Sequence, residues 1–331
     1  MDTRTRGSFS SRSVTTMSSN SQLNDVNESS TDVTAIQDNT SLIVNAIVLG
    51  IISLVGTPSN VLSFLTLVYQ RSLRTPANMP LLFLAVVDGL MCGLVAPLYF
   101  TQTFLFGTSV GETLCRIIAF FFLVNGISSV GLIVVVSVCR VITVVYTNAV
   151  LKYRHSVTTS AVVVLWSVAM ASSYVIVPAT EDMDCVDRLY VVPTVVDTVF
   201  EMIAVTSGIL CLVVIVICYC KIYWKVRQHT RTSNRQNNVV RMRADVVTLR
   251  AAILILTSFV LCYGPGIVGM IWNKASRPLR EIILLREMSI TTSLAGSMFN
   301  PFIYVVSSPS FRKGLKRTCR RIFCCVSIRR N

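Results

Sequence analysis

Asp88 is the only charged residue in an otherwise uncharged run from Thr75 to Gly111. A carboxylate at membrane depth costs roughly 2.5–3.5 kcal/mol to insert, while each neighbouring Leu, Ile, Phe or Val returns only about 0.3–0.6 kcal/mol. An acid kept at that cost marks a candidate site. Asn60, Ser129, Ser297 and Asn300 occupy other apolar runs at depths where they could meet it. One acid with hydroxyls and amides makes an oxygen-rich set suited to a monovalent cation. The same set also suits a neutral, hydrogen-bonded Asp88 that only specifies packing. Arg140 is a second anomaly, 25 residues after Cys115. At about 1.5 Å per residue that spacing is about 37 Å of helix, so Cys115 at one membrane surface places Arg140 at the other. Asp245 is the only acid available to pair with it there. Cys115 and Cys185, the latter in the acidic loop Glu181–Asp187, both fall on the opposite, oxidising side, where a bridge would tie that loop across a helix top.

The elements that must position these groups are seven runs almost free of charge: residues 39–70, 75–111, 117–139, 156–180, 202–220, 251–273 and 288–311. Each reaches or approaches the roughly 20 residues that a helix needs to cross about 30 Å of hydrocarbon. The expected fold is an all-α membrane protein, a seven-transmembrane helix bundle. Segments 71–74, 140–155, 221–250 and 312–331 hold 21 of the 30 Lys and Arg residues, with Asp245 as their only acid. Basic loops stay in the cytoplasm during insertion, so this asymmetry places the amino terminus outside. The pI near 9.6 therefore reports contact with anionic lipid headgroups and cytosolic partners, not nucleic acid.

Three parts follow. Residues 1–41 contain 17 Ser or Thr and few large apolar residues, which predicts a disordered outer tail. It has no apolar core of a cleaved signal peptide, so the first membrane helix is expected to do the targeting. Asn27 and Asn39 head glycosylation sequons in this tail. Residues 42–308 form the membrane domain, and 309–331 a short amphipathic cytoplasmic helix with a basic tail. Cys319, Cys324 and Cys325 sit among its arginines as palmitoylation candidates, with free thiols as the plainer reading. Pro97, Pro265 and Pro301 each remove a backbone hydrogen bond inside a span, giving static kinks or hinges.

Taken together these residues resemble a rhodopsin-like (family A) G-protein-coupled receptor over nearly the whole chain after residue 42. Asn300-Pro301-Phe302-Ile303-Tyr304, followed by Phe311-Arg312, matches the family's seventh-helix NPxxY motif and its eighth helix. Asn60, Leu84-Ala85-Val86-Val87-Asp88, Trp166, Tyr219 and Phe259-Val260-Leu261-Cys262-Tyr263-Gly264-Pro265 stand in family order. The resemblance implies a sodium pocket at Asp88, Ser129, Ser297 and Asn300, and a Cys115–Cys185 disulfide. It also implies an activation switch that includes Arg140, Asp245, Tyr219, Phe259, Tyr263, Pro265, Asn300, Pro301 and Tyr304. The chain departs from the pattern at several points. Cys139 replaces the acid before Arg140, Tyr263 the sixth-helix tryptophan, Cys211 the fifth-helix proline, and Gly296 an asparagine beside Ser297. These departures predict signalling without agonist, with Asp245 as the remaining clamp on Arg140.

The family implies a plasma-membrane receptor whose outer ligand favours an outward swing of helix six, opening a cleft for a heterotrimeric G protein and then arrestin. An amine ligand is disfavoured because Phe122 occupies the position of the expected acid, and a retinal pigment because Leu294 replaces the required lysine. Glu201, Arg286 and Glu287 near the helix tops, above Tyr99, Phe122 and Tyr263, suit a peptide; a solvated rim with no ligand role is the simpler alternative. A lipid or other small molecule is the other ligand class. A non-coupling scaffold or decoy receptor is the main rival function and a transporter the remote one, since no matched internal repeat is visible. An enzyme is not expected. His155 and His229 are the only histidines, and no hydrolase or metalloprotease motif occurs.

Overall fold

The computed structural model describes residues 43–104, 109–146, 151–176, 195–232, 254, 257–258, 260–265, 268 and 279–328. From Leu49 onward the described helices pack as one unit. Helix α1 is Ile43–Tyr69. Helix α2 runs Met79–Leu90, passes through a π-helical turn at Met91–Val95, and continues as Ala96–Phe104. Then come α3 (Ser109–Val144), α4 (Tyr153–Ile176) and α5 (Val195–Thr232). Helical residues at 254, 257–258, 260–265 and 268 form α6, followed by α7 (Leu279–Ser307) and α8 (Pro309–Ile328). The fold is a seven-transmembrane helix bundle with an eighth, amphipathic helix. Among the described residues, five helices are long and apolar enough to cross a membrane.

The helices outrun the uncharged stretches of the sequence. α3 has 36 residues, running past Arg116 at one end and Arg140 at the other, and α5 has 38, because Lys221, Lys225 and Arg227 continue the helix beyond its uncharged span. α8, expected to be short, has 20 residues.

The bundle is apolar outside as well as in, and its polar side chains are gathered within it. Asn60, Asp88, Asn125, Ser128, Ser129, Ser137 and Ser297 are buried, whereas Leu165, Trp166, Leu210 and Trp224 are more than 60% exposed. Lipid supplies no hydrophobic drive between helices, so close packing and interhelical hydrogen bonds hold them together. Small residues permit that packing. A Cβ on Gly56 would lie 2.5 Å from the Cys92 sulfur. Gly56 closes a π-helical turn, Ile52–Gly56, just before Pro58, and Cys92 lies in the π turn before Pro97. A widened turn accommodates a ring that would otherwise strike the carbonyl four residues earlier. The π turn before Pro97 falls where the sequence places a proline inside a span, and Pro58 adds a second such place.

An apolar core toward the inner side joins Leu84, Leu132, Val136, Ile215, Ile222, Tyr304 and Phe311. Tyr304 and Phe311 meet edge to face at 5.9 Å, fixing the corner between α7 and α8. α8 docks on α1 by a Gln70–Thr318 side-chain hydrogen bond of 3.2 Å and by Arg321 stacked 5.8 Å from the Tyr69 ring.

Candidate functional site

The intramembrane site is built from four helices. Asp88, on the inner-facing stripe of α2, is 1% exposed. Asn300 of α7 donates its amide to Asp88 Oδ2 at 2.7 Å, and Asn125 of α3 donates to Asp88 Oδ1 at 3.2 Å. The Asn125 amide also reaches Ser297 Oγ at 3.4 Å. Asn60 of α1 donates to the carbonyl oxygens of Ser297 and Gly56, each at 3.0 Å. Both carboxylate oxygens thus hold an amide donor, the arrangement that compensates a buried carboxylate.

The structure brings Asp88, Asn60, Ser297 and Asn300 into one network, as the sequence suggests. Asn125 is absent from the sequence-based set, although it is the only amide in the run from Ile117 to Cys139 and a polar side chain in such a run is a signal in itself. Ser129, expected beside Asp88, is buried and faces the Tyr263 phenol instead. Asn60 Oδ1 is buried without a partner among the described residues. A carboxylate among hydroxyl and amide oxygens is a hard donor set, unsuited to a soft metal.

A second cluster lies at the inner end of α3. Ser137 donates to the Tyr219 hydroxyl of α5 at 3.3 Å. Cys139, in place of the usual acid, points its thiol toward Ser156 Oγ of α4 at 3.9 Å. Ser156 in turn donates to the Pro76 carbonyl at 2.6 Å, tying the inner ends of α2, α3 and α4. Arg140 follows, and its Nε is buried without a hydrogen-bond partner among the described residues. Tyr304 Oη is buried in the same condition.

On the outer side, Cys115 is buried and disulfide-bonded. Tyr99 is buried on α2, and Phe122 lies half-buried on α3 two turns below Cys115. The lysine position of a retinal pigment is Leu294, fully buried in α7. Tyr263 and Pro265 fall on α6, Pro301 inside α7, and Cys319 half-buried on α8. Glu201 belongs to α5, Arg286 and Glu287 to α7, and Cys324 and Cys325 to α8, each in a stretch whose side chains are outside the described set. Asn27, Asn39, Cys185, Asp245 and Phe259 lie outside the described residues.

Apolar side chains turned outward, a buried acid held between helices, and a basic amphipathic helix at one end are the marks of a multi-pass membrane protein. Residues 59–304 match the model of the 7 transmembrane receptor (rhodopsin family), and the chain belongs to that family. It is similar to melanopsin of Phodopus sungorus, 24% identical over 322 residues that cover 89% of this chain and 66% of that protein. It is also similar to somatostatin receptor type 1 of Rattus norvegicus, 26% identical over 300 residues that cover 86% of this chain and 72% of that one. The chain spans about half to two thirds of the length of the melanopsins it matches. The crystal structure of squid rhodopsin shares the fold, with a TM-score of 0.69 at 20% identity over 86% of this chain and 87% of that chain.

Proposed function

We propose that this chain is a plasma-membrane receptor with its amino terminus outside, that it binds an extracellular peptide, and that it activates a heterotrimeric G protein. The observation that carries the coupling is the inner end of α3. There Arg140 keeps a buried Nε without a partner among the described residues, beside the Ser137–Tyr219 pair and below the Asp88 network. A buried N–H donor without an acceptor favours whichever arrangement supplies one. Outward displacement of α6 would open that end to a cytosolic partner, and an outer ligand can drive it only by its difference in affinity for the two arrangements.

The peptide reading is supported by Glu201 and Glu287 near the helix tops, by Tyr99 and Phe122 beneath them, and by the similarity to a somatostatin receptor. Leu294 speaks against a retinal Schiff base, which needs an amine. Screening peptides on membranes of cells expressing the receptor, with guanine-nucleotide exchange as readout, tests the proposal; no exchange above untransfected membranes with any peptide would refute it. Glu201→Gln should then weaken agonist potency, and unchanged potency would remove Glu201 from the site. The Asp88 network is proposed to take Na⁺ as an allosteric ion, supported by the buried Asp88 carboxylate and by Asn60 Oδ1, which has no partner among the described residues. Agonist affinity should then fall as Na⁺ replaces an inert cation at constant ionic strength.

A second reading rests on Cys139 and Tyr263. With these in place of the acid and the tryptophan of the family pattern, the chain would bind ligand without coupling, as a decoy or scaffold. Ligand binding without nucleotide exchange distinguishes this reading.

A further inference from the structure

Between α6 and α7, in the inner half of the bundle, lies an open cleft of about 330 Å³. That places it at the lower end of ligand-sized pockets, roughly 300–1,000 Å³. Leu254, Leu261 and Cys262 line one side, and Phe299, Phe302 and Val306 the other. Leu261 is 65% exposed, and Phe299, Phe302 and Val306 are each close to half exposed, so the cleft opens outward at the depth of the hydrocarbon.

Among the described residues no charged side chain lines the cleft; a basic one lies just beyond Val306. Arg312, in the first turn of α8, donates Nη1 to the carbonyl oxygens of Val305 and Val306 at 2.9 and 3.0 Å. The guanidinium is therefore pinned beside the very residue, Val306, that closes the cleft. A guanidinium carries five N–H donors, and these contacts engage only one of its nitrogens. No acidic residue follows Glu287 in the sequence, while Lys313, Lys316 and Arg317 continue the positive run. An anion from outside the chain can engage the remaining donors, and the inner leaflet supplies phosphate headgroups.

We propose that this cleft binds one anionic glycerophospholipid of the inner leaflet, with an acyl chain between Leu261 and Phe302 and its phosphate on Arg312. Because one wall is α6, an occupied cleft favours the α6–α7 spacing seen here, and lipid composition would bias the conformational equilibrium. The inference rests on the membrane topology and is independent of which outer ligand the receptor takes.

The test uses the full-length receptor in nanodiscs. Phosphatidylserine and phosphatidylcholine carrying the same photoreactive acyl chain are compared, with cross-links mapped by mass spectrometry. Leu165 and Trp166 on α4, both lipid-facing, serve as the internal reference. Peptides carrying Leu261 and Phe302 should be labelled roughly fivefold more by phosphatidylserine than by phosphatidylcholine, relative to that reference. Arg312→Gln should remove the preference and Arg312→Lys should retain most of it. Val306→Trp, at an exposed position, should lower cleft labelling by both lipids. Labelling indifferent to headgroup charge, as a sterol or a passing annular lipid would give, overturns the proposal. So does a preference that survives Arg312→Gln.

Discussion

Asn300 of α7 donates to Asp88 of α2 at 2.7 Å, joining residues 212 positions apart in the sequence. The bond is buried and shielded from water, the condition in which such a pair is strongest and its rupture most costly. Exchanging the two side chains should therefore be tolerated better than changing either. Asp88→Asn sets amide against amide, and Asn300→Asp sets two acids together. The double exchange restores one donor and one acceptor. We expect each single variant to melt earlier than the parent and the double variant to regain part of the loss, with a coupling of about 0.5–3 kcal/mol in a double-mutant cycle. Strictly additive effects on thermal unfolding in detergent would show that the contact contributes nothing specific.

Asn125 links three helices, since its single amide reaches Asp88 at 3.2 Å and Ser297 at 3.4 Å. Asn125→Ala leaves one carboxylate oxygen of a buried acid without its donor, a loss of about 1.5–3 kcal/mol. Ser128→Ala is the matched control, because the Ser128 hydroxyl bonds only to carbonyls of its own helix. The first variant should lower the melting temperature clearly more than the second. Equal shifts would place Asn125 outside the network.

Asp88 and Asn125, neighbours in the folded site, differ in how visible each is from sequence. Asp88 and its partner Asn300 are legible because a carboxylate in a lipid-spanning run demands partners, and the NPxxY match supplies one. Asn125 carries a far smaller insertion cost than a charge, and whether it faces Asp88 or lipid depends on the rotation of α3, which sequence does not fix. Counting residues along a helix puts Arg140 at the inner surface, but the Cys139–Ser156–Pro76 link emerges only from the packing of α4. Seven uncharged runs are enough to reveal the bundle. The true ends of α3 and α5 are not readable in this way, because a helix needs apolar residues only while it crosses lipid, and charged residues extend it freely in water.

The approach of α1 to α2 is set by Gly56 against Cys92. Any Cβ at position 56 meets the Cys92 sulfur at 2.5 Å and its Cβ at 2.9 Å. Gly56→Ala should cost about 1–3 kcal/mol by overpacking. Adding Cys92→Ala removes the sulfur and should recover part of the loss. The check is the fraction of correctly folded receptor at the cell surface together with its melting temperature. A neutral Gly56→Ala would mean that the two helices have room to slide apart.

α8 sits against α1 at Gly314, where a Cβ would lie 2.9 Å from Leu73 Cδ1 and 3.3 Å from Gln70 Cγ. A Val there must push the helix away and break the Gln70–Thr318 hydrogen bond of 3.2 Å. Gly314→Val should raise proteolytic sensitivity and amide exchange across residues 309–322, while Lys313→Ala, on the exposed face, should leave both unchanged. Identical protection in the two variants would show that α8 is held by the membrane surface alone.

Arg140 enters this protein without the acid that normally precedes it in the family pattern. Its predecessor, Cys139, engages Ser156 instead, and its own Nε is buried without an acceptor among the described residues. The sequence offers one cytoplasmic acid, Asp245, twenty residues before Pro265 at the start of the sixth span. If Asp245 clamps Arg140, Asp245→Ala should raise agonist-independent nucleotide exchange. The Arg140 side chain as a whole is only partly buried, and a partly exposed ion pair is worth up to about 1 kcal/mol, so the increase should reach about fivefold at most. Asp245→Glu keeps the charge and should keep most of the restraint. Arg140→Ala combined with Asp245→Ala should abolish the increase if Arg140 is the group released. Basal exchange that does not change in Asp245→Ala at matched surface expression would eliminate the clamp and leave the Cys139–Ser156–Pro76 link as the restraint on this end of α3.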